Sequence, residues 1–571
     1  MSTKRKLRSN FPRGSYLWAV RNAQWHGMGL SEADCEKPKI AVVNSSSELA
    51  ACYSHLDDVA TVVKDAIRAA GAVPFEIRTA APSDFVTGAG ARGAYMLAAR
   101  DLVTNDIEVA VEGAQLDGMI CLTSCDKTVP GQLMAAARLD IPTLLVPCGY
   151  QASGEYRGHH CDIEEVFIQA MHAVTGKVSR DDVVGMSREA IRGPGVCSGL
   201  GTANSMHIVC EALGMALPGS APVRALSPKM MADVRAAGAR VVQMVWDDLR
   251  PRSILTPGAF GNAVRAVLAV GGSVNCVKHL QAVATEADLD LDVYRLFEQH
   301  ADTTPVLAAL RPVGERLIEE FEDAGGARGL MKRLEPLLDT GVMTVTGSTL
   351  ADNLSGVQIG DDDVIRPLDN PVATRPAIVV LRGNLCPETG IVKAGIAERR
   401  TRRFAGPAIC FETSDDALAA MNDGRIRPGH VVVMRGAGAR GGPAMGGGAS
   451  RVVFGIDGAG LGEHVALLTD GHLSGLVCKG LVVAEVSPEA ARGGPLALVR
   501  DGDTVTIDLD TRRCDLDVSD AELAARRVAW QPPAPPFDRG WLQIYRRNVG
   551  STASGAVLVR PEPPTPRGET P

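Results

Sequence analysis

Cys125, Asp126 and Lys127 stand on three successive residues within Thr123-Ser-Cys-Asp-Lys-Thr-Val-Pro-Gly131. One point of the backbone therefore offers a soft thiolate, a hard carboxylate and an amine. Thiolate sulfur suits iron–sulfur clusters or zinc, whereas carboxylate oxygen suits magnesium or manganese. A chain that places both ligand types side by side can hold two different metals against one substrate. Two further cysteines stand in glycine- or polar-rich loops: Cys52 in Asn44-Ser-Ser-Ser-Glu-Leu-Ala-Ala-Cys-Tyr-Ser-His-Leu56, and Cys197 in Gly193-Pro-Gly-Val-Cys-Ser-Gly-Leu-Gly-Thr-Ala-Asn-Ser-Met206. Cys121, Cys148, Cys210, Cys276 and Cys410 lie within apolar runs and read as small buried hydrophobes. None of the three loop cysteines forms a C-x-x-C pair, which argues against a zinc ribbon or finger.

Other candidates are weaker when taken singly. Asp84, in Ala80-Ala-Pro-Ser-Asp-Phe-Val-Thr-Gly-Ala-Gly90, has the setting of an ordinary turn residue, and Lys127 alone would read as a solvated lysine. Thr469-Asp-Gly-His-Leu-Ser-Gly475 follows an apolar run. It is either a plain turn or a strand end presenting the hydroxyl of Ser474. Residues 436–448 are too glycine-rich for regular structure and could bring backbone close to an anion. No Gly-Lys-Ser/Thr follows, so they are not a Walker loop, and no dinucleotide fingerprint opens a helix there.

The elements that must carry these residues can be read coarsely. Residues 39–44 predict a buried strand, 55–70 an amphipathic helix, 117–122 a strand running into the Cys-Asp-Lys loop, 130–139 a helix and 142–146 a strand. Such alternation predicts an α/β domain with a mostly parallel sheet, and in such sheets ligands gather beyond the C-terminal strand ends. Residues 226–340 read as helical. The Pro-rich polar stretch 361–376 marks a boundary, and beyond it short β runs (377–381, 430–434, 465–469, 481–486, 504–509) predict a β-barrel-like domain. The expected division is an α/β domain over 1–370, a β-rich domain over 371–560 and a disordered tail over 561–571.

With 571 residues the chain can build two or more cores. Hydrophobic content of 45% with 22% charged residues fits a globular protein. A net charge of −8 leaves no basic footprint for nucleic acid. No segment is long and apolar enough for a membrane, and the basic N-terminus lacks the apolar core of a signal peptide. A cytoplasmic location is therefore expected, with the thirteen cysteines mostly reduced.

Together the motifs resemble the dihydroxy-acid and sugar-acid dehydratase family, which includes phosphogluconate dehydratase. The resemblance runs over nearly the whole chain. It takes in Arg8-Ser9, Cys125-Asp-Lys-Thr-Val-Pro-Gly131, Gly195-Val-Cys-Ser-Gly-Leu-Gly-Thr-Ala-Asn204, Gly271-Gly-Ser-Val-Asn-Cys-Val-Lys-His-Leu280, Gly383-Asn-Leu-Cys-Pro-Glu388, Asp470-Gly-His-Leu-Ser-Gly475 and Val486-Ser-Pro-Glu-Ala490. The stretches Cys125 to Pro142 and Gly154-Glu-Tyr-Arg-Gly158 lean towards the dihydroxy-acid branch. The resemblance implies a [2Fe–2S] cluster on Cys52, Cys125 and Cys197. It implies magnesium, or manganese in its place, near Asp84 and Asp126, with Lys127 carbamylated into an anionic oxygen ligand, and Ser474 as the alkoxide base. It also implies a small polyhydroxylated carboxylic acid as substrate, and a homodimer or homotetramer. The reaction so implied removes the C2 proton and the C3 hydroxyl of a 2,3-dihydroxy acid, giving a 2-keto acid.

One departure stands out. The family pattern Gly-Gly-Pro-Gly-Met-Pro-Glu supplies a magnesium-binding glutamate, but this chain reads Gly441-Gly-Pro-Ala-Met-Gly-Gly-Gly448, with Gly447 at the glutamate position. The segment Ser474-Gly-Leu-Val-Cys-Lys-Gly480 is also one residue longer than the commoner pattern. A non-catalytic or substrate-altered homologue is therefore the alternative expectation.

Overall fold

The computed structural model describes residues 6–396, 401–534 and 536–558, and the tail expected at 561–571 lies outside them. Four strands, β1 (Lys39–Asn44), β2 (Val73–Arg78), β3 (Gly118–Thr123) and β4 (Thr143–Pro147), form a parallel sheet in the order β2-β1-β3-β4. β1, β3 and β4 are buried along their whole length, as parallel strands covered on both faces must be. β2 carries no such signal. It is an edge strand, half-buried, and it holds Pro74 and Glu76, which a central strand would not accept. The helices Leu56–Ala69, Tyr95–Ala114 and Thr128–Leu139 make the crossovers. Leu56, Val59, Ala60, Val63 and Ile67 give the first of these an apolar stripe at helical spacing. That stripe packs on the helix Pro228–Asp247, where Gly238 permits a close crossing: a Cβ there would lie 2.7 Å from that of Ala66.

The region expected to be helical is so. It includes Pro228–Asp247, Pro257–Ala269, Asn275–Glu286, Val293–Ala301 and Gly326–Leu334. The helix Thr202–Ala212 is buried at every position. A short hairpin, β5 (Gly154–Tyr156) with β6 (His159–Cys161), precedes the helix Ile163–Val174.

Eight more strands follow: β7 (Ile378–Leu381), β8 (Thr389–Lys393), β9 (Arg403–Phe411), β10 (Val431–Met434), β11 (Ala466–Thr469), β12 (Leu481–Ser487), β13 (Thr504–Asp508) and β14 (Arg513–Leu516). Their order is β14-β13-β9-β10-β11-β12-β8-β7. A bridge between Arg382 and Arg513 brings the two outer strands together, so the sheet is a nearly closed barrel. Side-chain alternation explains why these strands are apolar on both faces. Val431, Val433, Ala466, Leu468, Val505 and Ile507 fill the barrel, whereas Val432, Met434, Leu467 and Val482 join the large helical core outside it. Pro407 interrupts β9 where pairing passes from β13 to β10, so its missing N–H breaks no register there.

Two readings are corrected. Residues 436–448 are irregular only as far as Gly446, because the helix Gly447–Gly458 begins inside the glycine run. The N–H groups of a first helical turn have no intrahelical partner, which makes glycine tolerable there. Cys410 is half-buried rather than enclosed. Among the described residues no helix is long and apolar enough to cross a membrane.

Candidate active site

The loops that carry the singled-out residues all leave the C-terminal ends of parallel strands or lead into a buried helix. Cys125-Asp126-Lys127 is the link between β3 and the helix Thr128–Leu139. Cys125 adopts φ 63°, which turns the chain sharply and costs a residue with a Cβ about 1–2 kcal/mol. Cys52 follows β1, and its carbonyl accepts the hydroxyl of Ser124, so the two cysteine loops are tied together. Tyr53 ties the first loop to the Asp84 loop by donating to the Pro82 carbonyl at 2.6 Å. Cys197 precedes the helix Thr202–Ala212, and Asn204 Nδ2 fixes that turn by donating to the carbonyls of Cys197 (2.8 Å) and Gly199 (2.9 Å). Ser474 follows β11. Cys52, Asp84, Cys125, Asp126, Cys197 and Ser474 line one cavity of about 460 Å³. Lys127 is fully buried behind it.

The charges in this cavity are closely coupled. Lys127 Nζ donates to Asp84 Oδ2 at 2.8 Å and lies 3.9 Å from Asp126 Oδ2. Burial pulls its pKa down, but Asp84 and Asp126 outweigh burial and the net shift is upward. Asp126 is pushed up to about 6, first by burial and then by the charge of Asp84. Lys127 and hydrogen bonds from the Ala203 N–H and the Thr202 hydroxyl act in the opposite direction. The Cys125 thiol is held well above its ordinary value by its hydrogen bond with Cys52 and then by burial, and that of Cys197 by burial and then by Glu164.

The loop carrying Ser474 is built as firmly. Its N–H donates to Ser450 Oγ at 2.8 Å, and its own Oγ accepts the Leu476 N–H at 3.3 Å. Asp470, buried, accepts the N–H groups of Gly436 (3.1 Å), Ala437 (2.8 Å) and Ala490 (2.8 Å). Glu489 accepts those of Arg440 (2.9 Å) and Gly441 (3.3 Å). The glycine-rich backbone does approach anions, and they are the chain's own carboxylates. Behind the loop His472 Nε2 meets Glu485 Oε2 at 2.8 Å. Tyr294 donates to Glu485 Oε1 at 2.5 Å, and Lys278 lies 3.7 Å from the same oxygen while donating to the Ala444 carbonyl at 3.2 Å. Gly446 and Gly447 also line the cavity. A Cβ at Gly447 would lie 2.9 Å from Met96 Cε, so a methionine tip occupies the space beside the missing glutamate.

The donor types, thiols for iron and carboxylates for a divalent cation, suit the groups that the resemblance implies. Asp84 Oδ1 is buried with no hydrogen-bond partner among the described residues, an acceptor of the kind a cation satisfies. Lys127 stands between the two carboxylates as an ammonium, so the carbamate that the resemblance implies requires that proton to leave first. The thiols of Cys52 and Cys125 are within hydrogen-bonding reach of each other, and Cys197 faces the same cavity. As placed, no three His, Cys, Asp or Glu side chains among the described residues are gathered closely enough to grip an ion.

Sequence reasoning missed Glu164, Asp470, Glu489 and the buried His472–Glu485–Lys278–Tyr294 group. Asp470, His472, Lys278 and Glu489 stand inside motifs that carry the family resemblance, which is the signal that could have found them. Glu164 sits on the buried face of an amphipathic helix, where only three-dimensional packing reveals it.

A family model described as the dihydroxy-acid/6-phosphogluconate dehydratase N-terminal domain matches residues 37–353, and its C-terminal counterpart matches residues 363–556. A dihydroxy-acid dehydratase of Methanothermobacter thermautotrophicus is 40% identical over 537 residues, covering 93% of this chain and 96% of that protein. One of Roseiflexus castenholzii is 40% identical over 553 residues, with 95% and 97% covered. One of Ignicoccus hospitalis is 37% identical over 547 residues, with 95% and 98% covered. On the strength of both domain matches and these near full-length relatives, the chain belongs to the dihydroxy-acid/6-phosphogluconate dehydratase family.

Proposed function

We propose that this protein is a hydro-lyase that converts a 2,3-dihydroxy carboxylic acid into a 2-keto acid. The observation that carries this reading is the convergence of three cysteines, two aspartates and Ser474 on one cavity. In the proposed two-domain division near residue 370, the cysteines, aspartates and Lys127 come from the α/β part and Ser474 from the barrel. Cys52, Cys125 and Cys197 would hold a [2Fe–2S] cluster. Asp84, Asp126 and carbamylated Lys127 would hold magnesium or manganese. When bound, these groups supply Lewis acidity towards the carboxylate and hydroxyls of the substrate.

The chain's own residues do the rest. Ser474 acts as the alkoxide, which the Leu476 N–H pointing at Oγ helps to stabilise, and its Oγ takes the C2 proton and becomes a neutral hydroxyl. The C2–H and C3–O bonds break and a C2=C3 enol forms; the proton held on Ser474 passes to the departing C3 hydroxide, which releases one water and restores the alkoxide. The enol then tautomerises to the 2-keto acid. Asp470 and Glu489 keep the glycine-rich loop in place beside Ser474, so the reacting groups meet in one arrangement. Phe85, Phe167 and Leu476 give the cavity an apolar wall beside the reacting groups.

The test is to purify the protein without oxygen, measure iron and divalent metal, and assay a panel of 2,3-dihydroxy acids for keto acid. An iron-containing protein that forms keto acid is expected, and an iron-free protein without turnover would overturn the reading. The second reading, a non-catalytic homologue, is favoured by Gly447 and the methionine tip beside it. Magnesium-dependent turnover by the unaltered protein would exclude it.

A further inference from the structure

Glu164 is the one buried carboxylate on the cavity wall to which the proposed reaction gives no role. It is only 4% exposed, it lines the cavity together with Cys197, Asp126 and Ser474, and its Oε1 has no hydrogen-bond partner among the described residues. On the helix Ile163–Val174 it shares a face with Phe167 and Met171, at the i, i+3 and i+7 positions where an apolar residue would normally pack. Burying a carboxyl there without a partner is unfavourable, so the fold accommodates it at a cost. The accommodation is specific. A Cβ at Gly199 would fall 1.9 Å from Glu164 Oε2, and one at Gly201 3.0 Å from Oε1, so two glycines of the Cys197 loop clear the space the carboxyl occupies. The helix itself is firmly seated. Asp162 caps it through the Glu165 N–H at 2.8 Å, Phe167 packs edge-on against Phe85 and Phe454, and His172 meets Asp457 at 3.0 Å. Burial and the charges of Asp162, Asp126 and Glu165 oppose the ionisation of Glu164, and Lys393, which donates to the Gly475 carbonyl at 2.6 Å, favours it.

We propose that Glu164 is a substrate-contacting, specificity-determining residue whose unpartnered Oε1 accepts a hydrogen bond from a hydroxyl of the bound acid beyond C3. This rests on the dehydratase reading, in which the carboxylate and the C2 and C3 hydroxyls are already engaged. A hydroxyl farther along the chain is then the donor left to meet Glu164. An acid ending in a methyl group leaves the carboxyl buried and unpaired, and a site built around a hydroxyl discriminates strongly against an analogue that lacks it.

The experiment compares 2,3,4-trihydroxybutanoate and 2,3,4,5-tetrahydroxypentanoate with 2,3-dihydroxybutanoate. The holoenzyme is used unaltered and as Glu164→Gln and Glu164→Ala. Each acid is followed by keto-acid formation and, separately, by binding through its effect on melting temperature and by calorimetry. The unaltered protein is expected to favour an acid with the additional hydroxyl about tenfold or more in kcat/KM and in affinity. Glu164→Ala loses that preference, and Glu164→Gln, which keeps an acceptor oxygen and the shape, retains part of it. Turnover of the acids with the same preference in the unaltered protein and Glu164→Ala overturns the proposal and leaves the dehydratase reading standing. Glu164-dependent binding of the longer acids without keto acid does the reverse. Binding of none of the acids by the intact holoenzyme overturns the proposal as well.

Discussion

Gly447→Glu replaces the one anionic ligand that the family pattern supplies and this chain lacks. The backbone accepts the change. Position 447 opens the helix Gly447–Gly458, where an acidic side chain is favoured by the helix dipole by about 0.3–1 kcal/mol. The steric obstacle is Met96 Cε, 2.9 Å from the new Cβ. It is the far end of a flexible side chain and can swing away. The variant should therefore fold with stability close to that of the parent. The gain is in cation binding. A carboxylate about 4 Å from a divalent cation gains about 2 kcal/mol even at the dielectric constant of water, twice the value for two unit charges. That corresponds to roughly thirtyfold in affinity. The assay is a magnesium titration of keto-acid formation, with the melting temperature followed alongside, and Gly447→Ala as the control that adds the Cβ without the charge. The half-saturating magnesium concentration should fall about thirtyfold in Gly447→Glu and stay within about twofold in Gly447→Ala. An unchanged magnesium dependence in a folded Gly447→Glu would refute the placement of the cation beside Asp84, Asp126 and residue 447.

Two further outcomes follow from the buried carboxylates. Asp470→Ala leaves the N–H groups of Gly436, Ala437 and Ala490 without their acceptor, at about 1–3 kcal/mol each before water compensates. The denaturant midpoint should drop and activity should fall with it, whereas Asp470→Asn, which keeps one acceptor oxygen, should lose clearly less. Glu211, raised to about 7 mainly by burial and only partly relieved by the N–H groups of Gly219 and Ala221, makes stability depend on pH. The folded form holds the proton up to about pH 7 while the unfolded chain releases it near pH 4.3, so this group's stabilisation is present below about pH 4.3 and is lost as pH rises through 7. Glu211→Gln has no such proton, so its stability relative to the parent should improve from pH 4.3 to pH 8 by up to about 3 kcal/mol. A pH-independent difference would show that Glu211 titrates normally.

Much of the fold was legible because it is written in apolar runs. β1, β3 and β4 are continuous hydrophobic stretches that end in polar loops, and they lie within one residue of their expected places. β2, β8, β9 and β14 were not legible. β2 is an edge strand with proline and glutamate, β9 contains Gly406-Pro407, β8 (Thr-Gly-Ile-Val-Lys) holds a glycine and a charge and β14 (Arg-Cys-Asp-Leu) alternates charges with apolar residues, so none has the composition of an isolated strand signal. At the site, the loop cysteines, Asp84 and Ser474 were identifiable from residue type and motif. Their support was not, because it consists of long-range pairs: Asp470 with the backbone of residues 436–437, Lys278 with Glu485, and Glu164 with the glycines of the Cys197 loop. Single-sequence patterns report what a segment does to its neighbours along the chain, and these contacts join segments far apart in it.

The measurement that bears most directly on the account is keto-acid formation by the oxygen-free, metal-loaded protein beside its Ser474→Ala variant, with the acid it turns over best. With Ser474 as the group that removes the C2 proton, the variant should keep its iron, its fold and its affinity for the acid while kcat falls by about 10²–10⁴-fold. A variant that retains iron and substrate affinity and turns over at the parent's rate would contradict the assignment of Ser474 as the base and, with it, the reaction proposed for this cavity.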